Sequence, residues 1–288
     1  MKSPPRLSLN PLRQLGPGLI TGAADDDPSG IATYSQAGAQ FGFSMLWTMV
    51  FTLPLMTSIQ NISARIGYVT GHGLAANIKR AFPRAVVLGV VGLLLLANTL
   101  NIAADFAAMA EALRLLVGGS PHVYAVTFGL LSLVLQVFLP YHRYVAWLKW
   151  LTLALLAYVS VAFIVHVDWR EVAWRTVQPQ LPLTRDTLLM VVAVFGTTIS
   201  PYLFFWQAAQ EVEDKEAGAP HTEAEVRRHL RRIKWDTRIG MAFSNLIAFF
   251  IILATAATLH AAGVTDIQTS AQAAQALRPV AGDWAFLL

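Results

Sequence analysis

Apolar residues gather along this chain in runs of membrane-spanning length, separated by short polar linkers. The runs cover 15–41, 45–64, 85–117, 123–140, 146–167, 187–213 and 237–260. An eighth begins at Trp284 and stops with "WAFLL". A helix needs about 20 apolar residues to cross the hydrocarbon core. Seven complete spans are therefore expected, with the chain truncated in helix 8. Two of the runs are interrupted. The first carries "ADDDPSGI" (24–31), and the sixth carries "GTTISPY" (196–202). Proline removes a backbone donor and glycine weakens a helix. In lipid the freed backbone groups are tolerated only where protein or a water-filled cavity satisfies them. The broken spans lie five apart, and paired breaks of this kind point to an inverted-repeat transporter with its site at the breaks.

Composition agrees with the pattern. The chain is 55% hydrophobic and 13% charged, against about a quarter charged in soluble domains, and its mean hydropathy is +0.51. An all-α, polytopic membrane protein follows. There is no cysteine, which excludes disulfides and thiolate metal sites. The N-terminal "MKSPPRLSLNPLRQLGPG" has no apolar core with a small-residue cleavage site, so no cleaved signal peptide is expected. Basic residues lie between the apolar runs rather than on a folded basic face, which leaves nucleic acid out as a partner. With the N-terminus inside, 16 Lys and Arg fall on the cytoplasmic side and 5 on the outer side. That bias predicts a cytoplasmic N-terminus. The segment "HTEAEVRRHLRRIKWD" (221–236) then reads as a cytoplasmic amphipathic linker helix.

The candidate chemistry sits at the breaks. Asp27 directly precedes Pro28, beside carbonyls that have lost their partners. A carboxylate with free carbonyls is a hard, oxygen-rich cation site, and an intramembrane acid is a functional hypothesis by default. Asp25 and Asp26 either share that role or line a wet vestibule. Three contiguous aspartates do not make an EF-hand loop. Thr197, Thr198 and Ser200 offer hydroxyls before Pro201. Alone they would fit a plain kink with hydroxyls bonded back to the helix; paired with the first break they read as part of a site. Asn98, Asn101 and Asp105 share one face of the third span. The asparagines suit interhelical hydrogen bonds, and the charged Asp105 suits an aqueous path. Glu111 and Arg114 read as a local pair. Gln207, Gln210, Glu211, Glu213 and Asp214 make one side of the inner half of span 6 wet. The G-x-x-x-G pairs Gly18/Gly22 and Gly38/Gly42 read as close helix packing. No histidine is placed deep enough for a mid-membrane relay or a metal ligand.

The stretch "GPGLITGAADDDPSGIATYSQAGAQFGFSMLW" (16–47) resembles the first helix of the Nramp family of divalent-metal transporters. That family reads GPG, eight residues, Asp-Pro-Gly-Asn, then a run ending Ala-Gly-Ala-x-x-Gly, and the spacing matches without a gap. The resemblance implies a LeuT-like fold of two inverted five-helix repeats with broken helices 1 and 6. Residues 1–14 would be a cytoplasmic tail, 15–167 the first repeat and 187–288 part of the second. It implies metal-site positions at Asp27, Ser200, Thr197, Ala24 and Gly30, the last standing where the family has a ligand asparagine. In the second break the family's Met-Pro-His falls on Ser200, Pro201 and Tyr202. Of two acids in the family's third helix, one position holds Ile102 and the other Asp105. Asp26, Asn98, Asn101, Asp105 and Gln207 would line an aqueous or proton path.

A thioether selects soft transition metals, and a hydroxyl in its place removes that preference. Mg²⁺ sheds water reluctantly, so a wider all-oxygen site suits it or Mn²⁺. The pattern is similar to the Nramp-related magnesium transporter branch. The expectation is a secondary transporter or facilitator of Mg²⁺ or Mn²⁺ in a bacterial-type plasma membrane. It would have no enzymatic activity and no cofactor beyond the transported ion, and would act as a monomer or weak homo-oligomer in the lipid bilayer. The alternatives are a LeuT-like amino-acid transporter, disfavoured because three aspartates repel a carboxylate, and an Asp-rich Mg²⁺-dependent membrane enzyme, which lacks a second acidic motif.

Overall fold

The computed structural model describes residues 21–22, 24–138, 155–179, 182–217 and 222–267. Helices there are α1 (Pro28–Phe41), α2 (Trp47–Thr70), α3 (Leu74–Ala81), α4 (Arg84–Val117), α5 (Pro121–Phe138), α6 (Leu156–Ile164), α7 (Trp169–Val177), α8 (Arg185–Thr198), α9 (Pro201–Ala217) and α10 (Glu223–Thr255). Thr21, Gly22, Ala24 and Asp25 are helical and precede the first break. Among the described residues there is no strand. The tail 1–14, the eighth apolar run and the side chain of Asp214 lie outside the described residues, as does most of the fifth run before α6.

Local chemistry sets the boundaries. Pro28 opens α1 where a missing N–H costs nothing, and Asp27 caps it by accepting from the Gly30 N–H. Gly42 at φ +57° ends α1, and Gly71 at φ +66° ends α2. The 3-10 turn Gly42–Met45 carries the chain from α1 into α2, with a bend of 111°. The sixth run separates into α8 and α9 at Ile199 and Ser200, and Pro201 takes the first position of α9. Both predicted breaks are therefore present.

The segment read as an amphipathic helix is helical from Glu223, and it continues without a break into the next apolar run as α10, Glu223 to Thr255. Thr222 and Glu225 form a capping box at its start, and nothing between there and Thr255 stops helical hydrogen bonding. The charges in 221–236 choose the helix's surroundings, not its end. Two short helices, α3 and α7, also form in linkers that pattern reading left unassigned.

Four described helices or helix pairs are long and apolar enough to cross a membrane, or five if the bent α1–α2 pair counts as one. The apolar part of α10 is two-thirds buried, whereas α4 and α5 bury none of theirs. Residues such as Leu88, Leu93 and Leu95 on α4 stay exposed, a face suited to lipid. The main core joins Tyr34 and Ala37 of α1, Met49 of α2, Val161 of α6, Val194 of α8 and Ile251 of α10. Polar ties cross it. Thr52 donates to Asn245 at 3.0 Å, and Asn245 donates to the Met49 carbonyl at 3.0 Å, holding α2 to α10. The glycines permit closer approach. A Cβ on Gly22 would strike the Gly240 backbone, and one on Gly38 would strike Thr255 and the Ile252 carbonyl. Gly22 and Gly38 thus act as the packing glycines their spacing suggests. Glu111 and Arg114 pair at 3.3 Å, as read from their spacing.

Candidate metal site

The two breaks meet. A point beyond the Gly30 Cα, where a side chain would begin, lies 3.2 Å from Asp27 Oδ1, 3.3 Å from the Asp25 carbonyl oxygen and 3.4 Å from Thr197 Oγ1. Glycine leaves this point empty, and three oxygens from both broken spans surround it. The Ser200 hydroxyl donates to the Thr197 carbonyl, placing a fourth oxygen-bearing group in the second break. Next to the break, the Tyr34 hydroxyl on α1 and Thr198 hydroxyl on α8 bond at 2.9 Å, both buried. That bond ties the two broken elements together beside the site.

Asp27 is the centre of a donor network. Its Oδ1 accepts from the Gly30 N–H at 2.7 Å and lies 2.8 Å from the Ser29 hydroxyl. Its Oδ2 accepts from Asn101 Nδ2 at 3.0 Å and from the Tyr202 hydroxyl at 2.7 Å. Asp105 joins from α4: its Oδ1 accepts from the Ser29 N–H at 3.1 Å and its Oδ2 from Asn101 Nδ2 at 3.2 Å. The Ser29 hydroxyl also lies 2.7 Å from Asn101 Oδ1, so its single proton serves either Asn101 or Asp27. This network fixes the position of the Asp27 carboxyl group at the end of a broken helix.

The other aspartates face elsewhere. Ser244 on α10 donates to Asp25 Oδ2 at 2.7 Å and lies 3.4 Å from Asp26 Oδ1. Both acids are buried, and Asp25 Oδ1 and Asp26 Oδ2 have no hydrogen-bond partner. Of the two, Asp25 contributes its backbone carbonyl to the cradle.

Among the positions singled out from sequence, Asp27, Gly30, Thr197, Ser200, Asn101 and Asp105 come together. The remaining four stand apart. Asp26 turns to Ser244. The Ala24 side chain is exposed, and the carbonyl nearest the cradle is that of Asp25. Asn98 keeps a buried Oδ1 without a partner, one turn from Asn101. Gln207 is buried further along α9, donating to Thr237 on α10 at 2.8 Å. Sequence reading missed Ser29 and Tyr202 as contributors. Each directly follows a break proline, and that position was the available signal. Among the described residues no three His, Asp or Glu side chains converge as a ready charged metal cluster. The cradle offers one carboxylate and neutral oxygens, a donor set of the kind hard cations take.

Comparison with known proteins bears on the family and the fold. The divalent metal cation transporter MntH of Acidiphilium cryptum (strain JF-5) is 28% identical over 280 residues, covering 95% of this chain and 63% of that protein. MntH of Verminephrobacter eiseniae (strain EF01-2) is also 28% identical over 280 residues, covering 95% of this chain and 62% of its own length. This chain thus spans under two-thirds of the length of these curated relatives. The crystal structure of a manganese transporter from Eremococcus coleocola, in complex with an aromatic bis-isothiourea substituted compound, superposes with a TM-score of 0.76 at 20% identity. It covers all of this chain and 63% of that one, which gives the fold as LeuT-like. Residues 18–288 match the family described as natural resistance-associated macrophage protein-like. This chain belongs to the Nramp family.

Proposed function

We propose that this protein moves divalent metal cations, Mg²⁺ or Mn²⁺, across the membrane by alternating access. One observation carries the reading: oxygens from two broken helices, Asp27 and Asp25 from the first and Thr197 from the second, surround a point kept open by Gly30. Asp27 is the charged ligand. The Asp25 carbonyl, the Thr197 hydroxyl and the Ser200 hydroxyl complete an all-oxygen shell around a partly hydrated ion. Asn101 and Tyr202 orient Asp27 and occupy its lone pairs until the ion arrives, while Asp105 accepts from Asn101 and the Ser29 N–H and so steadies that network. Access alternates as the repeats, 15–167 and 187–288, rock about the fixed site. The N-terminus lies in the cytoplasm, following the distribution of Lys and Arg.

Two substitutions test the chemistry of the shell. Ser200→Met adds a thioether beside the cradle. Competition between metals in proteoliposome uptake should then shift toward Mn²⁺ and Cd²⁺ and away from Mg²⁺. An unchanged order of competition would remove Ser200 from the shell. Tyr202→Phe takes away a proton donor that competes with the ion for Asp27 Oδ2. Metal affinity by isothermal titration should rise, by about tenfold if roughly 1.4 kcal/mol of that hydrogen bond is recovered. Weaker binding would mean instead that the phenol holds Asp27 in its ligating position.

A further inference from the structure

A cavity lies away from the metal site, between α2 and α10. It measures about 410 Å³ and is lined by Asn61 and Arg65 of α2 and Leu230, Arg231, Lys234 and Trp235 of α10. Arg65, Arg231 and Lys234 are exposed, and none makes an ion pair among the described residues. Three unpaired cations therefore share one cleft whose volume falls within the roughly 300–1,000 Å³ of small-molecule sites. Beneath it the helices are fixed to each other by buried Ala64, Tyr68 and Ile233.

The depth of the cleft decides what it takes. Arg65 is the first residue past the apolar run 45–64, and Trp235 stands two residues before the apolar run 237–260. Both helices cross from apolar to polar at this level, where tryptophan concentrates in membrane proteins. Trp235 is 56% exposed, with the Arg238 guanidinium 5.6 Å from its ring centre. Ile62 stands three residues before Arg65 and Ile239 four after Trp235, each on the same helix face one turn toward the apolar run, and they are 57% and 55% exposed. A ligand seated here would meet cations at one end and bare aliphatic side chains at the other.

We infer that this cleft binds the headgroup of an anionic phospholipid, with Arg65, Arg231 and Lys234 on the phosphate and glycerol oxygens and an acyl chain lying along Ile62 and Ile239. Basic pockets between spanning helices on the cytoplasmic side have the right chemistry for such headgroups. A free phosphate would use the same cations and none of the apolar wall.

Native mass spectrometry of the purified protein, titrated with phosphatidylglycerol or phosphatidylcholine, tests the inference. The protein should retain phosphatidylglycerol in preference to phosphatidylcholine. Each of Arg65→Gln, Arg231→Gln and Lys234→Gln should weaken that retention by on the order of fivefold, the equivalent of one surface cation. Arg228→Gln removes the same charge from an exposed position outside the cleft and should leave retention unchanged. Arg65→Lys keeps the charge and should retain the lipid, which separates lost binding from misfolding. Equal losses in Arg228→Gln and the cleft variants would overturn the site in favour of a diffuse surface charge. Full displacement of the lipid by millimolar inorganic phosphate would overturn the lipid assignment in favour of a soluble anion.

Discussion

An Asp27→Ala protein reconstituted in liposomes should take up Mg²⁺ and Mn²⁺ no faster than empty vesicles. The substitution removes the one carboxylate of the cradle and leaves only neutral oxygens from Asp25, Thr197 and Ser200. The loss should exceed the roughly 10–100-fold that follows removal of a partner behind a metal ligand. It also strands the Tyr202 hydroxyl and the Asn101 amide, which both donate to Asp27 Oδ2. Both are half-buried, so each orphaned group costs at most about 1–3 kcal/mol. Asp27→Asn keeps an acceptor oxygen and should restore folding stability without restoring uptake. Uptake at the parental rate in the alanine protein would remove Asp27 from the ion's route altogether.

The second large effect concerns assembly rather than transport. Gly38→Leu places a side chain where Thr255 and the Ile252 carbonyl already stand. Thr255 cannot turn away cheaply, because its hydroxyl is bonded to the Ile251 and Ile252 carbonyls at 2.9 and 3.1 Å. Overpacking a core costs about 1–3 kcal/mol when side chains can adjust, and here backbone is struck, so the cost is higher. The protein should fail to give a monodisperse peak in fluorescence-detected size exclusion. Gly89→Leu is the matched control, since a Cβ there meets nothing within 4 Å. A normal profile for Gly38→Leu would show that α1 and α10 are not held at this distance.

The contrast between those two glycines also marks how far the sequence could be read. Breaks at Asp27-Pro28 and Ser200-Pro201 were legible because proline and aspartate carry their cost locally, wherever the rest of the chain goes. The polar face of α4 was legible for the same reason, through spacing on a single helix. Which members of that face matter was not. Asn101 reaches Asp27 while Asn98, one turn away, does not, and the difference depends on where α4 crosses α1. Tyr202 lies 175 residues from Asp27, and no local pattern encodes their 2.7 Å contact. The continuity of α10 was hidden by a different confusion. Six basic residues between 227 and 238 look like a linker between elements, but lysine and arginine are good helix formers and do not end a helix.

That continuity, together with the glycine crossing, has a mechanical consequence. Gly22 rests against the Gly240 backbone, the tight contact between the first half-helix and α10. Taken as a fulcrum, it divides α10 unequally. Its Glu223 end lies about 25 Å away, while Ser244, which holds Asp25 and Asp26, lies only about 6 Å away. A tilt of roughly 10° about Gly240 would sweep the Glu223 end through about 4 Å and shift Ser244 by only about 1 Å. The geometry gears α10 about four to one, so a displacement at its Glu223 end would leave the bonds from Ser244 to the buried acids almost unstretched.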